Sequence, residues 1–236
     1  MAARVRTLRI YLDGVPIGTA KQTPQGALSF AYDEEYRDDP DATPLSLSMP
    51  LARAEHGNKQ VRAYLDGLLP DSEPARQRWA RQYNVSANNP FALLLHVGRD
   101  AAGAVQALDP DEDSRDAMER VGDIEWLSEG DFAAMAHDLA VNGEDWDPGR
   151  FGGRWSLAGA QPKMALHQDS ETGRWGIPRD STPTTAIIKP AIEGFAQHHV
   201  NEALCLRAAG EADLLAADVD LVEVDDVRAV ISYRYD

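Results

Sequence analysis

The sequence predicts an α+β protein. An N-terminal antiparallel β-sheet with helices is followed by a second antiparallel sheet that carries one helix. Three observations lead there. Residues 4–12 alternate apolar and polar and run into Asp13-Gly14, a dipeptide that closes two-residue hairpins, before Val15 to Ala20 resumes the alternation. Between Val61 and Val97 the apolar pattern turns helical and is punctuated by Pro70, Pro74 and Pro90. β-Branched runs then return at Thr184–Lys189, Val219–Val224 and Val227–Tyr233, with a single helical stretch from about Gln197 to Ala209 among them.

Taken in order, Gly26 to Tyr32 reads as a third strand, and the Pro- and Ser-rich Asp38–Pro50 as an extended connection. Val61–Leu69 is a short helix stopped by Pro70. Ser72 caps a helix over Pro74–Tyr83, where a proline in the first turn is harmless. Asn89-Pro90 opens Phe91–Val97, apolar nearly all round and therefore buried, and Gly98 closes it. Gly103–Leu108 returns as a strand. The acidic Asp109–Asp123 reads as loop or linker, and Ser128 with Asp131 forms a capping box for a helix ending at Asn142-Gly143. Gly143–Gly153 has no periodicity and marks a subdomain boundary. The expected division is 1–110, a connecting 111–150, and 151–236. The last part reads as a strand over Lys163–Gln168, a turn at Asp169–Gly173, one strand ending at Lys189, the helix, and two strands joined at Asp225-Asp226.

Composition narrows the function. With 43% hydrophobic and 26% charged residues the 236-residue chain is that of an ordinary globular protein, and no run of eighteen apolar residues suggests a membrane span. The N-terminus lacks a signal-peptide core, and one cysteine, Cys205, allows no internal disulfide, so a cytoplasmic location is expected. Cys205 falls in an apolar helical run, where a small buried hydrophobe is expected rather than a reactive thiol. The formal net charge of −16 argues against direct nucleic-acid binding, which depends on neutralising phosphates.

The chemistry gathers in two short pieces. In Ser156-Leu157-Ala158-Gly159-Ala160-Gln161-Pro162-Lys163 small residues bare the backbone N–H groups, so a polyphosphate can lie against them. In Thr184–Lys189 a β-branched run ends in one lysine, and Glu202 follows thirteen positions later in a helix. Loop, strand, turn, strand with lysine, helix with glutamate is the order of parts in a protein-kinase N-lobe. A plain hairpin with a surface lysine has the same spacing, since neither a Walker loop nor Gly-x-Gly-x-x-Gly is present. Lys189 ends an apolar run, where an ammonium needs a partner. Lys163 faces the same phosphates or is a strand-surface lysine. His198 and His199 are adjacent and project differently, which does not suit a metal site, and no metal ligand is assigned.

The wording of these residues carries more. Ser156-Leu-Ala-Gly-Ala-Gln-x-Lys163, Thr182-Pro-Thr-Thr-x-Ile-Ile-Lys189 and Asn201-Glu202-Ala-Leu-Cys-Leu206 resemble the HipA family of serine/threonine kinase toxins. Phe30-Ala-Tyr32-Asp33, Pro44-Leu-Ser-Leu-Ser-Met-Pro50, Leu65-Asp-Gly-Leu-Leu-Pro70 and the run Phe91–Val105 resemble that family's N-terminal subdomain, in the family's order. The resemblance implies ATP binding by Ser156–Gln161, Lys163 and Lys189, with Glu202 as the ion-pair partner of Lys189. It also implies autophosphorylation at Ser156 and a hinge at Tyr233-Arg-Tyr235-Asp236, where the family more often has a glutamate and a phenylalanine. It further implies Mg²⁺, a helix-turn-helix antitoxin of the HipB type, operator DNA contacted only through that antitoxin, and a protein substrate whose identity is open.

No His-x-Asp-x-x-x-x-Asn and no Asp-Phe-Gly occurs, so the base and metal-binding aspartates would lie beyond Asp236 and the chain alone is expected to be inactive. The competing reading is a non-catalytic truncated or split module that binds an antitoxin or a separate kinase chain. A nucleotide-binding fold unrelated to kinases has only the loop in its favour.

Overall fold

The computed structural model describes residues 5–112, 114–120, 122–143, 155–159, 161–179, 181–192 and 194–236. The chain divides into two units, Met1–Val121 with Arg154–Gly159, and Gly122–Gly153 with Ala160–Asp236. The predicted boundary stretch after Gly143 and the loop position Ala160 lie outside the described residues. Both units are mixed α+β, as expected, and among the described residues none of the seven helices is long and apolar enough to cross a membrane.

The first unit is built on β1 (Arg6–Leu12), β2 (Val15–Gln22) and β3 (Leu28–Tyr32), an antiparallel meander. Asp13 and Gly14 both take positive φ, 50° and 76°, the backbone that a primed hairpin turn demands. Further strands are β4 (Glu55–His56) beyond β3, then β6 (Val105–Leu108) and β5 (Asp100–Ala101) beyond β1. The seven-stranded sheet is completed by β8 (Trp155–Ser156), which joins β5 in parallel.

Helices α2 (Asn58–Gly67), α3 (Glu73–Tyr83) and α4 (Pro90–Val97) share one core with the sheet, in which Leu8, Ile10, Phe30, Leu69, Trp79, Phe91 and Leu94 are buried. The predicted caps form: Ser72 Oγ accepts from Ala75 N–H and Asn89 Oδ1 from Ala92 N–H. The extended Pro44–Pro50 is tied down by Tyr32, whose hydroxyl donates to Met49 O and accepts from Leu45 N–H, both at 2.7 Å.

Three short pieces differ from the sequence expectation. A helix α1 (Glu34–Asp38) follows β3 directly, and β4 pairs with β3 over two residue pairs only. Part of the acidic stretch expected as loop or linker forms α5 (Arg115–Glu119). Its Ala117 is fully buried against Tyr11 and Leu108, and Arg120 just after it pairs with Asp13 at 2.5 Å. Apolar contact at Ala117 and ion pairs such as Arg120–Asp13 and Arg99–Glu112 hold a segment whose composition alone favours solvent.

The second unit has a six-stranded antiparallel sheet in the order β12-β13-β11-β9-β10-β7. Its strands are β7 (Ile124–Trp126), β9 (Met164–Gln168), β10 (Trp175–Pro178), β11 (Ala186–Pro190), β12 (Val219–Val224) and β13 (Val227–Tyr233). Helix α6 (Glu129–Val141) begins with the predicted Ser128/Asp131 capping box, and α7 (His198–Glu211) precedes β12. The single strand expected to end at Lys189 is two strands, because Pro178 and Pro183 bracket a break between them. The sheet also takes in β7, a strand the sequence did not predict. Gly176 makes room for it, since a Cβ there would stand 2.3 Å from Ile124 Cγ2.

Cys205 corrects an expectation: it is exposed. The face of α7 that meets the sheet is set by Ala203, packed with Val219 and Val230, and Leu206 at its margin. That face leaves Cys205 outside.

Candidate functional site

Lys189 lies on β11, an interior strand flanked by β9 and β13. Along β11, Ala186, Ile188 and Pro190 are buried, while Ile187 and Lys189 occupy the alternate, partly exposed face. Helix α7 contacts β12 and β13, and its Glu202 is adjacent to the buried Ala203. The Lys189 Nζ donates to Glu202 Oε1 at 2.5 Å, and the two side chains are 21% and 26% exposed. A pair this short and partly shielded from water fixes the ammonium on the strand. It also leaves Lys189 donors available for an anionic ligand, since an ammonium carries three N–H groups.

The segment before β9 is joined to the start of α7. The Gln161 side-chain amide lies 3.0 Å from His198 Nε2 and 3.5 Å from the Pro190 carbonyl, and His198 Nδ1 accepts from Ile192 N–H at 3.2 Å. Lys163 stands one step beyond the Met164↔Ile188 pair, immediately before β9, the strand next to that of Lys189.

At the end of β13, the N–H of Tyr233 donates to Asp218 O at 2.9 Å, and its hydroxyl donates to Asp220 Oδ2 at 3.1 Å. Burial, then the bond to Asp220, raises the Tyr233 pKa. The Tyr235 ring is 79% exposed. Between the tyrosines is a residue that sequence reasoning passed over. The side chain of Arg234 is only 4% exposed; it holds Asp236 with two bonds of 2.9 Å and gives a third, 2.7 Å, to Thr184 Oγ1. Its N–H donates to Thr185 O. The Arg-x-Asp spacing was the available signal, yet only the fold shows that it clamps this segment to the start of β11.

The unit division falls inside the small-residue loop: Ser156 to Gly159 belong to the first unit, whereas Gln161, Lys189, Glu202 and Tyr233 belong to the second. Ser156 is fully buried, pairs with Ala101 in the parallel β5–β8 ladder, and its Oγ donates to Leu68 O at 2.6 Å. Leu157 is buried and Ala158 exposed. Gly159 takes φ 102°, a value suited to glycine, and bridges in parallel to Pro70. Three of the residues expected to lie against phosphate are thus organised within the first unit: Ser156 by its strand pairing, Leu157 by burial and Gly159 by its bridge.

Comparison with known proteins fits this geometry. Residues 8–108 match the model of the HipA N-terminal domain, and residues 155–236 that of the HipA-like C-terminal domain. The chain is 34% identical to Y4mE of Sinorhizobium fredii, a provisionally named kinase, over 98% of this chain and 54% of that protein. It is 26% identical to the serine/threonine-protein kinase toxin HipA of Shewanella oneidensis, over 99% of this chain and 51% of that one. The chain spans about half the length of the curated relatives it matches. Among solved structures, HipA of Shewanella oneidensis in complex with HipB and operator DNA shares the fold, with a TM-score of 0.73 at 22% identity, covering 97% of this chain and 50% of that one. With its N-terminal and C-terminal segments each matching one of the two HipA domains, in that order, the chain belongs to the HipA family.

Proposed function

We propose that the chain contributes the N-terminal domain and the nucleotide-gripping lobe of a HipA-type serine/threonine-protein kinase toxin. The observation that carries this reading is the Lys189–Glu202 pair, a lysine on an interior strand held at 2.5 Å by a carboxylate from the neighbouring helix. Kinases use such a pair to set an ammonium against the α- and β-phosphates. In this reading Lys189 receives those phosphates, Glu202 orients Lys189, the backbone around Tyr233 and Tyr235 meets adenine, and Ser156 is the autophosphorylated residue. ATP would supply the phosphoryl group and Mg²⁺ would neutralise its developing charge. The residues present fit the phosphate role. No segment of the sequence supplies the base aspartate or the magnesium-binding motif. Residues 1–236 alone are therefore expected to transfer no phosphate.

For partners, the reading includes a HipB-type helix-turn-helix antitoxin, in line with the complex formed by the Shewanella relative. Operator DNA would be reached through that antitoxin, because a net charge of −16 disfavours direct contact. A cytoplasmic location goes with this reading. The non-catalytic module remains the second reading, favoured by the missing base motif; phosphoryl transfer by a longer product of the same reading frame would exclude it.

The test is an ATP titration followed by amide and side-chain NMR shifts. The expected affinity is of order millimolar, a binding free energy near ~−4 kcal/mol, with the largest shifts around Lys189 and their loss in Lys189→Ala. Micromolar binding would contradict the affinity estimate, and shifts indifferent to Lys189→Ala would overturn the assignment.

A further inference from the structure

The N-terminal end of α7 opens into a pocket of about 420 Å³ whose lining includes Ile192, Phe195, Gln197, His199 and Arg228. The helix begins bare. Its N-cap residue Gln197 has φ 52° and makes no capping bond, and no acidic residue occupies the first turn. The first intrahelical bond runs from Asn201 N–H to Gln197 O, so the N–H groups of His198, His199 and Val200 have no acceptor inside the helix. They stand at the positive end of a 14-residue dipole.

A second observation points to a ligand. His199 is 5% exposed, and its Nδ1 is wholly buried with no hydrogen-bond partner. An orphaned polar atom of this kind is costly unless something completes it. Arg228, exposed at the start of β13, brings a permanent positive charge to the same pocket. Among the described residues no acidic side chain lines the pocket; the nearest in the ladder is Glu223, the cross-strand partner of Arg228. Burial first, then His198 and Arg228, holds the His199 pKa below its ordinary value, so the ring is neutral in its buried setting.

We propose that this pocket is an oxyanion site that takes a phosphate group. The backbone N–H groups at the start of α7, the His199 imidazole and the Arg228 guanidinium act as its donors. A helix N-terminus with a forked guanidinium suits a tetrahedral, multiply charged oxyanion. The site lies three residues, just under one turn, before Glu202, so its occupancy steadies the part of α7 that carries that carboxylate. The site stands on its own geometry, and the nucleotide role of Lys189 can fail without touching it.

The test uses residues 1–236 with isotope-labelled histidine and backbone, at constant ionic strength maintained with chloride. Inorganic phosphate should shift the His199 ring and the amides of residues 198–200 saturably. O-phosphoserine is titrated in parallel: tighter binding than phosphate identifies a phosphorylated side chain as the source, and weaker binding identifies free phosphate. Arg228→Glu, at an exposed position, should weaken either ligand by about tenfold or more. His199→Phe should abolish the amide shifts, and if it does not fold, Arg228→Glu together with the wild-type ring shift carries the test. Absence of a saturable shift at His199, the same shift with chloride alone, or unchanged affinity in Arg228→Glu overturns the proposal.

Discussion

Replacing Ser156 with aspartate should release β8 from the first unit. Ser156 is fully buried, and its hydroxyl donates to the Leu68 carbonyl at 2.6 Å. Ser156→Ala removes that bond and strands a buried carbonyl, a loss of about 2 kcal/mol, which raises the open fraction roughly 30-fold. Ser156→Asp is worse in kind. A carboxylate has no proton to offer Leu68 O, so two acceptors would face each other, and burying an unpaired charge costs several kcal/mol even after relaxation. Against this, among the described residues, stand two ladder pairs of β8 with β5 and the Gly159–Pro70 bridge. The segment should therefore open. Phosphoserine, with roughly −1.5 to −2 charge at pH 7, acts in the same direction and more strongly. In the docked state the hydroxyl is closed to any kinase, so modification would act on the open form and trap it there. Hydrogen–deuterium exchange read on peptides covering 155–159 and 66–71 gives the measurement. The aspartate variant should exchange far faster than wild type at the first, with alanine between them. Equal protection in wild type and Ser156→Asp would refute the argument.

Other outcomes follow from the same structure. Both His56 and His199 are held below the ordinary imidazole range: His56 by burial and then Arg53, His199 by burial and then His198 and Arg228. The unfolded chain therefore takes up these protons first, so stability is complete above about pH 6.5 and falls as the pH drops through the depressed folded values. Urea unfolding at about pH 7.5 and about pH 5.5 should show a smaller acid loss in His56→Gln than in wild type, and equal losses would remove His56 from the account. Gly18→Ala puts a Cβ 2.3 Å from Ala31 O and 2.8 Å from the Phe30 ring, so a loss of about 1–3 kcal/mol is expected. An unchanged urea midpoint would contradict the β2–β3 register. Exposed Cys205 should react with a soluble disulfide reagent in the native protein nearly as fast as in denaturant, and strong native protection would return it to the interior.

The sequence by itself determined what short-range physics controls. The Asp13-Gly14 hairpin needs only two residues that tolerate positive φ. The caps at Ser72, Asn89 and Ser128 act on N–H groups three residues away, and each forms where the pattern placed it. Lys189 was legible as an ammonium needing a partner, because an apolar strand leads straight into it. What only the tertiary structure decided rests on partners far apart in the chain. β8 joins β5 across more than fifty residues through backbone groups that every residue carries, and Ser156 meets a carbonyl 88 positions away. The exposure of Cys205 depends on which side of α7 Val219 and Val230 cover. Arg234 is placed by Thr184, fifty positions away, which the local Arg-x-Asp spacing does not reveal. Local propensity reaches a turn of helix or a two-residue loop, whereas sheet pairing and burial are settled by which distant segments together remove the most apolar surface from water.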